Sequence, residues 1–157
     1  MFKITIICLG KFKEAAYRDL EKEYLKRLNP YAVIKVIELS EEPYTTQAGV
    51  EAAKEKEAKK VQKQIPKDSI VILLEEKGIE RNSKDFAVFL DRVGNLGQQL
   101  VFVIGSGVGL DSSLKAVSNY QISLSQLTFP HNLARILLTE QLYRSVTILN
   151  GHKYHKE

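Results

Sequence analysis

A single cysteine, Cys8, stands in the whole sequence, so no disulfide can close within the chain and no cysteine metal cluster can form. It sits in the apolar run ITIICL, where a small buried residue is expected. No run of about 18 apolar residues occurs, which a membrane-spanning helix needs. The amino terminus offers a lone Lys3 and too short an apolar stretch for a signal peptide, so a cytoplasmic protein with no membrane partner is expected. There is no internal repeat, low-complexity tract or Pro/Gly-rich linker, and 157 residues suit one domain, 1–157. The three histidines, His131, His152 and His155, have no Cys, Asp or Glu beside them at a zinc spacing, so no metal is expected. No G-x-x-x-x-G-K-[ST] loop and no nucleophile elbow is present, which argues against kinase-like and hydrolase chemistry.

What the chain does have is 44% hydrophobic residues, a net charge of +4 and a regular alternation of patterns. Short apolar runs (FKITIIC, AVIKVIEL, SIVILLE, LVFVIG, YQISLS) alternate with helix-period segments at 13–28, 47–64, 83–93, 111–117 and His131 to Leu149. This order predicts an α/β domain with about five strands in a mostly parallel sheet and helices on both faces. IVILL and LVFVI are apolar on both faces and belong in the middle, whereas AVIKVIEL partly alternates and belongs nearer an edge.

Two helices differ in kind. VEAAKEKEAKKVQKQ carries Lys and Glu at helical spacing and reads as a solvated helix laced with ion pairs, with RNA contact as the other reading. The last helix carries Leu133, Ile136, Leu137, Leu138, Leu142, Tyr143, Val146, Ile148 and Leu149 around nearly its whole circumference. Two apolar faces on a terminal helix predict one packed on its own sheet and one on a second copy, hence a homodimer.

The candidate chemistry lies in three places. After LVFVI comes GSGVGL, with Gly105, Gly107 and Gly109 followed by Asp111 and Ser112. It reads either as a plain tight turn or as a loop that brings backbone close to a ligand. After the last strand comes LSQLTF, residues 124–129, ending at Pro130, which presets the final helix. Ser125 and Thr128 there suit turn chemistry or a ligand contact equally. Both loops leave the carboxyl edge of the sheet, where open α/β folds bind ligands. The third place is the cationic and aromatic set Arg135, Arg144, Lys153, Tyr154 and Lys156 with His152 and His155, which suits a phosphate backbone and an unpaired base. Glu140, four residues before Arg144, could instead pair it on the helix.

Taken together, FVIGSGVGL, ISLSQLTFPHNLARILLTEQLYR and the terminal GHKYHK resemble the ribosomal RNA large subunit methyltransferase H family, a branch of the SPOUT methyltransferases. The likeness extends to FKITIICLGKFKE and YLKRLNPYAVIKVIEL, so it covers effectively the whole chain. It implies a trefoil knot in the carboxyl third, about residues 100–157, and a homodimer. It also implies S-adenosyl-L-methionine as methyl donor and methylation of N3 of a pseudouridine in helix 69 of 23S rRNA within the assembled ribosome. By position, the resemblance implies cofactor contacts at Leu74, Gly105, Leu124, Ser125, Gln126, Leu127, Thr128 and Phe129. It implies substrate contacts at His131, Arg135, Tyr154, His155 and Lys156, with Arg144, Tyr154 and His155 at the chemistry and the tail closing over the methyl donor. The sequence departs from the family's pattern at Ser106, Asn132 and Lys153, where glycine, glutamine and proline or alanine are frequent.

An N3 imide attacks a methyl sulfonium only as its proton leaves. His155 is the expected proton acceptor, because imidazole titrates near neutrality, with Arg144 or Arg135 stabilising the anion that develops on the base oxygens. The competing reading is a non-catalytic ribosome- or RNA-binding factor with a vestigial nucleotide pocket.

Overall fold

The computed structural model describes residues 1–156, and in it strands and helices alternate from end to end. The elements are β1 (Phe2–Leu9), α1 (Ala15–Leu28), β2 (Ala32–Leu39), α2 (Gln47–Gln62), β3 (Ile70–Glu80), α3 (Ser83–Gly94), β4 (Leu100–Ile104), α4 (Ser112–Val117), β5 (Tyr120–Ser123) and α5 (His131–Leu149). The five strands form one sheet in the order β2-β1-β4-β3-β5, and every pairing between them is parallel. The chain is thus a single-domain α/β fold with helices on both faces of a parallel sheet.

The apolar runs are explained by that layering. All five residues of LVFVI in β4 are buried. Leu100, Phe102 and Ile104 face a core shared with Leu28 of α1, Phe89 and Leu90 of α3, and Leu138, Leu142 and Val146 of α5. Val101 and Val103 face a second core with Ala58 and Val61 of α2 and Leu114 of α4. AVIKVIEL forms β2 at one edge, where half-buried and exposed residues are tolerated. The Lys/Glu-rich helix α2 keeps a solvated face but buries Ala53, Glu57, Ala58 and Val61 against the sheet. Cys8 lies inside β1, and burial pushes its thiol up to about 12, so it packs as a small apolar side chain.

Strand β3 runs further than its apolar stretch suggests. Leu74 pairs with Ile122 of β5, the register then slips, and Ile79 pairs with Ile122 again. The extra residues 75–78 bulge out of the ladder. Gly78 makes this possible, because a Cβ there would stand 2.5 Å from the backbone carbon of Ile122.

The breadth of the apolar surface on α5 is used within the chain. The helix packs against both α1 and α3, leaving Leu133, Leu137 and Ile148 half-buried, so the apolar pattern alone does not require a second copy. Its fixed point is polar. Arg135 is 3% exposed and donates Nε and Nη2 to the two carboxylate oxygens of Glu21 on α1, both at 2.6 Å, and Nη1 to Glu38 of β2 at 2.7 Å. The Phe12 ring lies 4.0 Å from its guanidinium carbon. Burial works against the charge, but the hydrogen bonds to Glu21 and Glu38 more than restore it and raise the guanidinium pKa.

Two outcomes are expected. Gly78→Ala should lower stability by about 1–3 kcal/mol, since the new methyl group meets rigid backbone, and denaturant unfolding would show it as a lower midpoint. Arg135→Met should cost about 3–5 kcal/mol by stranding the Glu21 carboxylate, and adding Glu21→Leu should recover much of that loss. A single variant as stable as the parent would remove Arg135 from this role.

Candidate functional site

Parallel strands end together at one edge, and there the chain builds a cleft of about 800 Å³, within the range of small-molecule sites. One wall is the turn after β4, from Gly105 to Leu110. Gly109 N–H donates to the Ser106 carbonyl at 3.0 Å, and Gly109 takes a φ of +82° that suits glycine. A Cβ at Gly105 would stand 3.1 Å from the Leu110 side chain and 3.2 Å from the Gly109 backbone, so only glycine leaves this turn its width. Asp111 caps α4 by accepting from Ser113 N–H at 2.8 Å.

The facing wall is the loop 124–129 with the start of α5. Thr128, Phe129, Pro130, His131 and Ala134 line the cleft, and Leu74, Leu124, Ser125, Leu127 and Phe129 line a small adjoining hollow of about 80 Å³. Ser125 serves the turn itself: its hydroxyl accepts from Leu127 N–H at 3.0 Å and its carbonyl accepts from Ser123 at 2.9 Å. Gln126 is exposed and borders neither space. On its far side the same loop borders a second cavity of about 480 Å³ with Phe86, Leu137 and Gln141.

The β3 bulge carries Glu75, Glu76 and Lys77 to the lip of the cleft, where Lys115 lies 3.3 Å from Glu75. His131 Nε2 lies 3.8 Å from a Glu41 oxygen. Its ring fits because position 10 is glycine, where a Cβ would come within 3.0 Å of Nε2. The space therefore offers apolar walls for a flat base, carboxylates for cationic groups and backbone at a glycine turn for close approach. That donor set fits a cationic, nucleoside-containing ligand such as S-adenosyl-L-methionine, with Leu74, Gly105, Glu75 and loop 124–129 as the residues that would hold it.

The tail forms a separate cluster. His152 Nδ1 lies 3.3 Å from the Tyr31 hydroxyl. Tyr154 donates to Glu140 at 3.2 Å and stacks edge-on against Tyr143, with centroids 4.8 Å apart. Arg144 donates Nη2 to Glu140 at 2.5 Å and Nη1 to His155 Nδ1 at 3.2 Å, with its guanidinium 4.9 Å from the centre of the Tyr154 ring. The hydrogen bond to Glu140 raises the Arg144 pKa. Burial, the Tyr24 hydroxyl and the Glu140 carboxylate raise that of Tyr154, so its phenol stays protonated. A guanidinium can only donate, so Nδ1 of His155 accepts and the neutral ring carries its proton on Nε2.

The two clusters lie at opposite ends of the molecule. Arg144 follows His131 by thirteen residues on α5, about 20 Å at the rise of a helix. Tyr31, which meets His152, precedes β2 at the amino edge of the sheet. The tail therefore does not close over the cleft of its own chain, contrary to the sequence expectation. Arg135 also needs correction: expected at the RNA, it is buried and bound to Glu21 and Glu38, with no solvent face to offer a phosphate. Lys156 is exposed. Sequence reasoning missed Glu75 and Glu57, which borders the glycine turn, while the spacing of Glu140 before Arg144 did signal that pair.

Comparison with known proteins agrees with this geometry. Residues 2–155 match the family described as "Predicted SPOUT methyltransferase". The chain is 42% identical over 153 residues to the ribosomal RNA large subunit methyltransferase H of Caldicellulosiruptor saccharolyticus, covering 98% of this chain and 99% of that one. It is 43% identical over 157 residues to the protein of that name from Bacillus thuringiensis subsp. konkukian, with 98% and 99% covered. It is 39% identical, with the same coverage, to that of Clostridium acetobutylicum. A parallel α/β sheet with a glycine-turned cleft at its carboxyl edge, matched from end to end in this way, shows that the chain belongs to the SPOUT methyltransferase family, among the ribosomal RNA large subunit methyltransferase H proteins.

Proposed function

We propose that this protein methylates ribosomal RNA of the large subunit, at N3 of a pseudouridine in helix 69 of 23S rRNA, in the assembled ribosome of the cytoplasm. The observation that carries the reading is that Gly105, Thr128 and Phe129 line one carboxyl-edge cleft while Leu74, Leu124, Ser125 and Leu127 line a hollow that adjoins it. The names of the relatives supply the RNA class. The reading includes a trefoil knot in the carboxyl third. Its support is that β5 lies at the sheet edge beside β3 while α5 runs back between α3 and α1.

S-adenosyl-L-methionine, when bound, provides an electrophilic methyl group. The rest is done by the chain's own side chains. Arg144 and Tyr154 remain protonated; the spare N–H groups of Arg144, and the Tyr154 hydroxyl once it turns from Glu140, offer donors to a base whose oxygens gain charge as the N3 proton leaves to water. His155 accepts from Arg144 at Nδ1 and so donates from Nε2, which redirects it from proton acceptor to a third donor for the same anion. Thr128, Phe129 and His131 border the donor cleft and limit the angle from which a base can approach it.

The distance between the clusters supports the homodimer. With the tail about 20 Å along α5 from the cleft, the two halves of the site meet only between copies, the tail of one serving the cleft of the other.

Incubating the protein and S-adenosyl-L-methionine with ribosomes lacking the modification should add one methyl group to a helix 69 pseudouridine, read by mass spectrometry of 23S rRNA fragments. A methyl group found elsewhere would replace the proposed target, and binding without methylation would favour the non-catalytic factor. The shared site has its own test. Gly105→Val should kill the cleft and ending the chain at Gly151 should remove the tail, so each variant alone should be inactive. Refolded together, they should regain about a quarter of parent activity, because half the dimers then hold one intact site. No recovery in a mixed dimer verified by native mass spectrometry would refute the exchange of tails.

A further inference from the structure

The tip of the glycine turn that walls the cleft, between the buried Ser106 and Leu110, is held by little packing. A Cβ at Gly107 or Gly109 would meet nothing within 4 Å, and residues 106–108 stand between the cleft and a second space of about 370 Å³. A segment with open space on both sides needs another restraint to keep one shape. One side chain provides it: Ser106 is 8% exposed and its hydroxyl donates to Glu57 Oε2 at 2.9 Å.

Glu57 lies on α2, is 2% exposed and has a second commitment. Its Oε1 accepts from the backbone N–H of Glu42 at 2.9 Å. Glu42 pairs with Lys60, which also donates to the Ser40 carbonyl and hydroxyl at 2.9 Å. The neighbouring Glu41 faces His131 across 3.8 Å. One buried carboxylate therefore ties the glycine turn to the β2–α2 connection, and through it to the histidine on the opposite side of the cleft. A carboxylate this deep is costly unless both oxygens are satisfied, so it constrains both segments at once.

We infer that Glu57 is a positioning residue for the methyl-donor cleft, acting through the Ser106 hydroxyl to hold the glycine turn in the conformation that binds S-adenosyl-L-methionine. The inference rests on the donor assignment proposed above and adds to it the pair that sets donor affinity. Neither side chain takes part in the chemistry.

The test is calorimetric titration of the full-length protein with S-adenosyl-L-methionine, with ribosome binding and thermal unfolding measured alongside. Ser106→Ala should weaken donor affinity about tenfold, the usual effect of losing a hydrogen bond to a charged group, and leave ribosome affinity unchanged. Ser106→Thr, which keeps the hydroxyl, should stay within about threefold of the parent by the same measure. Glu57→Gln can keep the link, accepting the Glu42 N–H at Oε1 and donating Nε2 to the Ser106 oxygen, so it should cost less than Ser106→Ala, and the double variant should be no worse than Ser106→Ala, because both changes act on one link. If Ser106→Ala binds the donor as the parent does while its Tm falls, the pair is structural only and the inference fails. It fails too if the two changes add. If Glu57→Gln does not fold, the Ser106 variants decide alone. If the parent protein binds no S-adenosyl-L-methionine, the donor assignment falls and this inference falls with it, an outcome distinct from an unaffected variant.

Discussion

The pairing of Arg135 with the buried Glu21 and with Glu38 at the sheet edge holds the molecule's longest helix to its sheet. A guanidinium keeps its charge at any ordinary pH, so with Arg135 itself 3% exposed to solvent the carboxylates that pair it must stay where they are. The fork of donors accepts only a narrow range of directions. Helix α1, strand β2 and helix α5 are thereby oriented together. His131, one turn before Arg135, is delivered to the carboxyl edge, and Arg144, more than two turns after it, to the opposite end. The role of this arginine in function is geometric.

Around that fixed point the carboxyl edge achieves concavity with local irregularities. The bulge in β3 moves two glutamates and a lysine outward, Gly78 lets the bulged strand touch β5, and Gly10 leaves room for the His131 ring. Each is a place where a regular ladder would have closed the space. The glycine turn after β4 is open at Gly107 and Gly109 and has a side-chain tether at the buried Ser106 beside them. At the amino edge the tail is organised by charge and aromatic contact, with Glu140 accepting from both Arg144 and Tyr154. This keeps the Arg144 guanidinium and the Tyr154 hydroxyl side by side on one carboxylate.

Much of this was legible in the residues, and the failures have physical causes. The strand and helix boundaries follow apolar periodicity closely, except that β3 continues through EEKG, where polar residues hide a strand that pairs past a bulge. Arg135 looked like an RNA contact because basic residues on a helix usually face solvent. Its partners, Glu21 and Glu38, are 114 and 97 residues away, beyond the reach of any local spacing rule. The wide apolar surface of α5 is real, but two flanking helices of the same chain cover much of it. Ser106 looked like an odd residue in a glycine loop until the fold placed Glu57 behind it.

By itself the sequence determined the class of fold, the two strands β3 and β4 that would be internal, the two loops that would meet at the carboxyl edge and the family, because these depend on periodicity, turn residues and local motifs. Tertiary structure alone decided which charges are buried partners and which are free, and how residues on one helix divide between two distant sites. It also decided that the terminal GHKYHK faces away from its own cleft. Those outcomes depend on which surfaces pack across long stretches of chain, and desolvation of a charge is a property of the packed whole.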